Sequence, residues 1–305
     1  MSDAEKSDRS TDSAPLVRLP PRAPDAHKGD FGTALILGGS LGMTGAVSLA
    51  GMSALRGGAG LVRLAVPDVC LPIVAGYEPS YMTVGLPSDR AGRIALAARA
   101  RIERLVPAAT VVVCGPGLGR SLGLDVLVAG LYRDVEQPMV VDADGLNALA
   151  AQSEVLAMPG GPRILTPHPG EFARLAGVKL DGEARNQLAV ELARRWGVVI
   201  VLKGHRTLVT DGHRRAINTT GNPGMATGGS GDVLTGLVTA IACQGLEPYD
   251  AARLAVHIHG LAGDLAAKEL GQVAMIASDL VRFLPAAGEG RCPRPLPGAR
   301  PRHLE

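Results

Sequence analysis

From about residue 33 the chain repeats one alternation: a short apolar run, a glycine-rich or charged turn, then apolar residues spaced three and four apart. "TALILGG" (33–39) is the first run, and "TGAVSLAGMSALRGG" (44–58) follows with helical spacing and Thr44 as the expected N-cap. "GLVRLAVP" (60–67) returns as a strand that Pro67 ends, so the order predicts a β-α-β unit. The pattern recurs in "ATVVVCGPGLG" (109–119), "PMVVDADGLNALA" (138–150), "RILTPHPGEFARLAG" (163–177) and "GVVIVLKG" (197–204). Runs apolar almost throughout suit a parallel sheet covered on both faces. "TLVTDGHRRAIN" (207–218) breaks the alternation, because two short β-prone runs flank Asp211-Gly212, a two-residue hairpin signal. Val233, Leu234, Leu237, Val238 and Ile241 then form one helical stripe closed near Gly245, and 251–267 reads as a further buried helix. The expected fold class is α/β, a doubly wound, mostly parallel sheet with helices on both faces, in a single domain over 29–287. The polar, proline-punctuated segments 1–28 and 288–305 are expected to be disordered tails.

Composition mainly excludes. In 305 residues there are 40 glycines but only three Phe, four Tyr and one Trp, so the interior must be built from small side chains. The formal charge of +2 is spread without blocks and makes no case for nucleic acid or an anionic membrane. No apolar stretch reaches the ~18 residues of a membrane span, and the N-terminus lacks the apolar core of a signal peptide, so a cytoplasmic protein is expected. Cysteines 70, 114, 243 and 292 form no CxxC pair and are expected to be buried or incidental thiols.

Ligands of open parallel sheets bind at the carboxyl ends of the strands. Five marked turns fall there: Gly38-Gly39-Ser40, Gly115-Pro116-Gly117-Leu118-Gly119, Asp142-Ala143-Asp144, Thr166-Pro167-His168-Pro169 and Lys203-Gly204. No GxxxxGK[ST] is present, and "GPGLGR" lacks the spacing of a dinucleotide fingerprint. "NPGMATGGSGDVLTGL" (222–237) is more telling, because Gly228, Gly229 and Gly231 lead straight into the stripe that starts at Val233. The first amides of a helix lack partners, and bare glycines let a phosphate reach them. Such a cradle suits the charge of phosphoryl transfer. Asp232 either stabilises the helix dipole or acts as a base on an attacking hydroxyl; that dipole predicts an ionised carboxylate at neutral pH. His168 either satisfies a backbone group or reaches a substrate. Asp142 and Asp144 either cap the next helix or serve a magnesium ion. His257 and His259, two apart, cannot share a helix face and are expected in the core or at its rim.

"LGGSLGMTGA" (37–46), "GPGLG" (115–119), "VVDADGLNAL" (140–149), "LTPHPGE" (165–171), "VLKGHRT" (201–207) and "NPGMATGGSGD" (222–232), in that order, resemble the ADP/ATP-dependent NAD(P)H-hydrate dehydratases of the ribokinase-like superfamily. The resemblance runs from about Gly29 to Pro285. It implies that ADP or ATP, with Mg²⁺, phosphorylates the C6 hydroxyl of NADH hydrate or NADPH hydrate, and that loss of phosphate restores the reduced cofactor. By the same likeness Asp232 is the catalytic residue, and Ala46, Gly117 or Gly119, His168 and Asp232 contact the hydrate. Lys203, Gly204, His205, Arg206, Thr207, Asn222, Gly228, Gly229 and Gly231 contact the nucleotide, and metal ligands stay unassigned. A homotetramer is implied. With about 28 polar residues before the domain, the chain is expected to carry the dehydratase alone, to act on the S epimer and to work with a separate epimerase. The rival expectations are a ribokinase-like kinase for hydroxyethylthiazole or a sugar, and a non-catalytic nucleotide sensor.

Overall fold

The structure, a computed structural model, describes residues 15–289. Strands β1 (Thr33–Leu37), β2 (Leu61–Pro67), β3 (Met82–Leu86), β4 (Val111–Cys114), β5 (Met139–Val141), β6 (Arg163–Leu165) and β7 (Val199–Leu202) run parallel, and β8 (Leu208–Thr210) and β9 (Arg215–Ile217) add an antiparallel hairpin. The sheet order is β3-β2-β1-β4-β5-β6-β7-β8-β9. Chain direction across the sheet reverses between β1 and β4, the switch point where a doubly wound fold opens its crevice.

Successive strand residues point to opposite faces. Ile36, Val113, Val140, Ile164 and Val201 therefore join one apolar cluster, and Leu37, Val112, Val141, Leu165 and Ile200 the other. Over the first face pack α1 (Thr44–Arg56), the short α2 (Leu71–Ala75), and three later helices: α8 (Ser230–Cys243), α9 (Pro248–Leu270) and α10 (Ala277–Gly288). The second face is covered by α3 (Arg99–Leu105), α4 (Leu122–Asp134), α5 (Asp144–Ala151), α6 (Pro169–Ala176) and α7 (Gly182–Trp196).

Local chemistry differs from expectation at several helix ends. Thr44 is the first residue of α1 rather than its N-cap, and Met43 ahead of it supplies no side-chain cap. Neither Asp142 nor Asp144 caps α5, whose N-cap is Ala143 at a positive φ of 49°. The second C-terminal helix runs Pro248–Leu270, longer at both ends than 251–267. Cys70, Cys114 and Cys243 are buried free thiols, while Cys292 lies outside the described residues. So do 1–14 and 290–305 of the expected tails. Within 15–28, Arg22 donates to the Gly58 carbonyl at 2.6 Å and lies 3.6 Å from the centre of the Phe31 ring.

Candidate active site

The sheet order sets the turns after β1, β4, β5, β6 and β7 side by side along one edge. The first two are tied together. Ser40 Oγ donates to the Gly117 carbonyl at 2.9 Å and the Gly39 amide to the Pro116 carbonyl at 2.8 Å. Gly117 has a φ of +64°, and a Cβ there would sit 3.1 Å from the Ala46 methyl, so the two residues share one wall. Gly119 faces Arg93 and donates its amide to Asp144 Oδ2 at 2.9 Å.

Beneath these turns lies a charged cluster. Asp142, 1% exposed, accepts from Lys203 Nζ at 2.6 Å on Oδ1 and from the Thr235 hydroxyl at 2.6 Å on Oδ2. One carboxylate thus joins the ends of β5 and β7 to the body of α8. Lys203 Nζ also lies 3.8 Å from Glu171 Oε2, which accepts the His168 amide at 2.8 Å. Burial works against the lysine's charge, but Asp142 and Glu171 outweigh it and hold the ammonium above its usual range.

At the start of α8 the Ser230 amide is taken by Thr227 and the Val233 amide by Gly229, at 3.3 and 3.1 Å. The amides of Gly228, Gly229, Gly231 and Asp232 have no backbone acceptor among the described residues. A Cβ on Gly231 would lie 3.3 Å from Lys203 Nζ and 3.9 Å from Asp142 Oδ2, so the bare face of that glycine meets the buried ion pair. His259, buried in α9, braces the turn through Nε2, 3.0 Å from the Ser230 carbonyl. Burial pushes that imidazole down to about 4, so it is neutral and donates.

Asp232 departs from expectation. Burial first, then the charges of Asp142, Asp144 and Glu171, push its carboxyl up to about 7 against the pull of Lys203. The helix dipole alone predicts an ionised acid, but four carboxyl groups share one ammonium here. At neutral pH the group is therefore shared between its two protonation states, where a proton acceptor is most responsive.

Residues 34–286 match the family described as NAD(P)H-hydrate dehydratase. The chain belongs to the NAD(P)H-hydrate dehydratase family. It is 48% identical over 273 residues to the bifunctional NAD(P)H-hydrate repair enzyme of Moorella thermoacetica, covering 88% of this chain and 51% of that one. It thus spans about half the length of the curated relatives it matches. Its structure superposes on the ADP/ATP-dependent NAD(P)H-hydrate dehydratase from Bacillus subtilis, co-crystallised with ATP/Mg²⁺. The TM-score is 0.74 at 31% identity, covering 90% of this chain and 94% of that one. Hydroxyethylthiazole kinase from Pyrococcus horikoshii shares the fold alone, with a TM-score of 0.59 at 17% identity over 85% and 89% of the two chains.

In this member of the dehydratase family, Ala46 and Gly117 form one wall, Gly231 and Asp232 meet Lys203, and His168 flanks Lys203 through Glu171. The 204–207 turn closes on itself, with the Thr207 hydroxyl bonded to the Gly204 carbonyl at 3.0 Å and its oxygen accepting the Gly204 amide at 3.3 Å. That leaves His205 and Arg206 exposed, Arg206 at a φ of 60°. Lys203 does not extend with that turn; its ammonium points into the carboxylate cluster. Asn222 caps its own turn through the Gly224 amide at 3.0 Å and donates to Asp264 at 3.0 Å. Thr235 and Glu171 escaped the sequence-level assignment. Thr235 carried a usable signal, since three residues past Asp232 it faces the same side of the helix. Glu171 resembles an ordinary capping-box glutamate until its burial is seen.

Proposed function

We propose that this protein is an ADP-dependent (6S)-NAD(P)H-hydrate dehydratase. It uses ADP or ATP to phosphorylate the C6 hydroxyl of hydrated NADH or NADPH and then eliminates phosphate. What carries the proposal is the pairing at the start of α8: four amides with no backbone acceptor among the described residues, Gly231 among them beside the Lys203 ammonium, and next to it a carboxyl balanced near neutrality. The ionised Asp232 takes the hydroxyl proton while the substrate oxygen attacks the terminal phosphorus and the shortened nucleotide leaves. Amides of Gly228, Gly229 and Gly231, with Lys203, stabilise the charge on the transferred group. Phosphate leaves far more readily than hydroxide. The ring-nitrogen lone pair expels it with the C6–O bonding electrons, and loss of a C5 proton closes the C5–C6 double bond.

Substrate would lie along Ala46, Gly117 or Gly119, and His168; nucleotide along Lys203 to Thr207, Asn222 and the glycines of 228–231. Support for the first group is the shared wall of Ala46 and Gly117; Gly119, bonded to Asp144, stands one step further out. Support for the second is that the 204–207 turn leaves the same sheet edge as the cradle.

A magnesium ion accompanies the nucleotide in this proposal. Among the described residues no three His, Cys, Asp or Glu side chains gather as a metal site; magnesium takes phosphate oxygens and water with one or two carboxylates. Four carboxyl groups against one ammonium leave negative charge to receive it. Asp142 and Asp144 would hold its water shell, and when bound the ion neutralises phosphate charge.

The proposal includes a homotetramer in the cytoplasm, supplied with S epimer by an epimerase. Among the described residues no helix is long and apolar enough to cross a membrane. Sedimentation velocity tests the assembly. The activity is tested by mixing protein, ADP, Mg²⁺ and chemically prepared NADH hydrate and following the reduced-nicotinamide absorbance. Recovery is expected; no recovery together with phosphorylation of a thiazole alcohol or a sugar favours a kinase.

A further inference from the structure

Glu171 is 5% exposed, and the steps above give it no role. Its oxygens meet three groups. Oε2 accepts the His168 amide at 2.8 Å and lies 3.8 Å from Lys203 Nζ, while Oε1 lies 3.4 Å from His168 Nε2. The other ring nitrogen, Nδ1, accepts from the amides of Gly170 and Glu171 at 3.0 and 3.4 Å. With that lone pair occupied, the neutral imidazole carries its proton on Nε2, the nitrogen 3.4 Å from Glu171 Oε1. A ring with Nδ1 occupied and Nε2 protonated has no lone pair to offer a substrate, so His168 is a placed surface rather than a base.

A capping box needs an acceptor at this position, not a charge, and glutamine supplies the same bond. Burying a carboxylate where an amide would do costs free energy, so the charge itself has a use. We propose that Glu171 is a positioning residue of the proposed dehydratase, holding the His168 ring and the Lys203 ammonium in place beside Asp232. The inference rests on the function proposed above.

Charge faces Glu171 from several elements: Lys203 from β7, Asp142 from β5, Arg174 from α6 itself and Asp232 from α8, while the His168 cap adds a backbone amide and a titratable ring that is neutral here. Burial pushes Glu171 up to about 7, with Lys203 and Arg174 opposing and Asp142 adding to it. Glu171 and Asp232 therefore titrate as a coupled pair over one range. Removing the glutamate charge lets Asp232 ionise at lower pH.

The test compares wild type, Glu171→Gln and Glu171→Ala in the full chain. Glu171→Gln should retain the thermal midpoint and change the KM for ADP by less than about twofold. It should lower kcat/KM for the hydrate about tenfold at pH 8, and move the acid limb of that profile down by roughly half a unit. Glu171→Ala should lose more, with the KM for hydrate raised. Superimposable wild-type and Glu171→Gln profiles would overturn the proposal. So would equal losses in both variants that track only the thermal midpoint. Nitrogen-15 shifts give a readout independent of turnover: the His168 ring keeps its Nε2–H tautomer in Glu171→Ala, because the backbone amides of residues 170 and 171 hold Nδ1 in both proteins, whereas the Lys203 Nζ signal moves once its neighbouring carboxylate is gone. An unchanged Lys203 signal in Glu171→Ala overturns the positioning role. Wild type inactive on hydrate would sink the proposed function, and the Lys203 signal would still decide on Glu171.

Discussion

Asp232 and Glu171 are both pushed up to about 7 by burial, and the sign of that shift makes two predictions. Each folded-state value lies above its unfolded value, so the folded protein holds protons that the unfolded chain has released. Their contribution is present below the unfolded values and is lost as pH rises through about 7. Asp232→Asn should therefore stabilise the protein at pH 8, by about 1–2 kcal/mol in urea denaturation, less at pH 5, and hardly at all below the unfolded value of 3.8. A variant no more stable at pH 8 than wild type would show that the carboxylate is not strained by its surroundings. The same substitution should lower hydrate turnover by about 10²–10⁴-fold. It should leave ADP affinity unchanged or better, because a negative charge beside phosphate is gone; calorimetric titration reads that separately. Sequence revealed the candidate base but not its protonation. Asp232 is separated from Asp142, Asp144 and Glu171 by dozens of residues, and only the fold sets their charges together.

The α8 helix is the element on which the site turns. Its start offers the amides, its second turn places Thr235 on Asp142, and its face packs closely on α1. The closeness comes from Gly236, where a Cβ would run into the Ala50 carbonyl of α1. Gly236→Ala should force the two helices apart and cost about 1–3 kcal/mol, measured by thermal unfolding. Thr235→Val keeps the volume but leaves a buried carboxylate oxygen of Asp142 without its donor, at a cost of about 1–3 kcal/mol. Periodicity showed the stripe from Val233 to Ile241 because apolar burial repeats with the helix. Asp211-Gly212 marked the place of the β8–β9 hairpin but not its turn: residues 211–214 join the strands, with Gly212 alone at positive φ and the Asp211 carboxylate accepting the amides of His213 and Arg214. Thr44 lies one position inside α1, and the capping roles drawn for Asp142 and Asp144 failed for one reason. A polar side chain near a helix start has several partners in reach, and long-range contacts won: Asp142 bonds Lys203 and Thr235, and Asp144 bonds the Gly119 amide.

Across the whole molecule, the five turns read from the sequence fall on adjacent strands. Parallel pairing of β1, β4, β5, β6 and β7 carries them to one edge. That convergence was legible because each strand ends in residues a helix or strand interior rejects. The opposite end of the sheet was not legible. Arg163, 1% exposed at the start of β6, donates to the carbonyls of Tyr132, Val135, Gln137 and Pro162 and fastens the end of α4 to the sheet. Nothing in "GPRILTP" marks an arginine for such burial. Hydrate turnover by wild type and Asp232→Asn, each with ADP and Mg²⁺, from pH 5.5 to 9, decides whether Asp232 is the base. Wild type should restore nicotinamide absorbance with an acid limb near 7, and the variant should give a low, flat profile. Turnover by the variant at close to the wild-type rate would rule Asp232 out as the base.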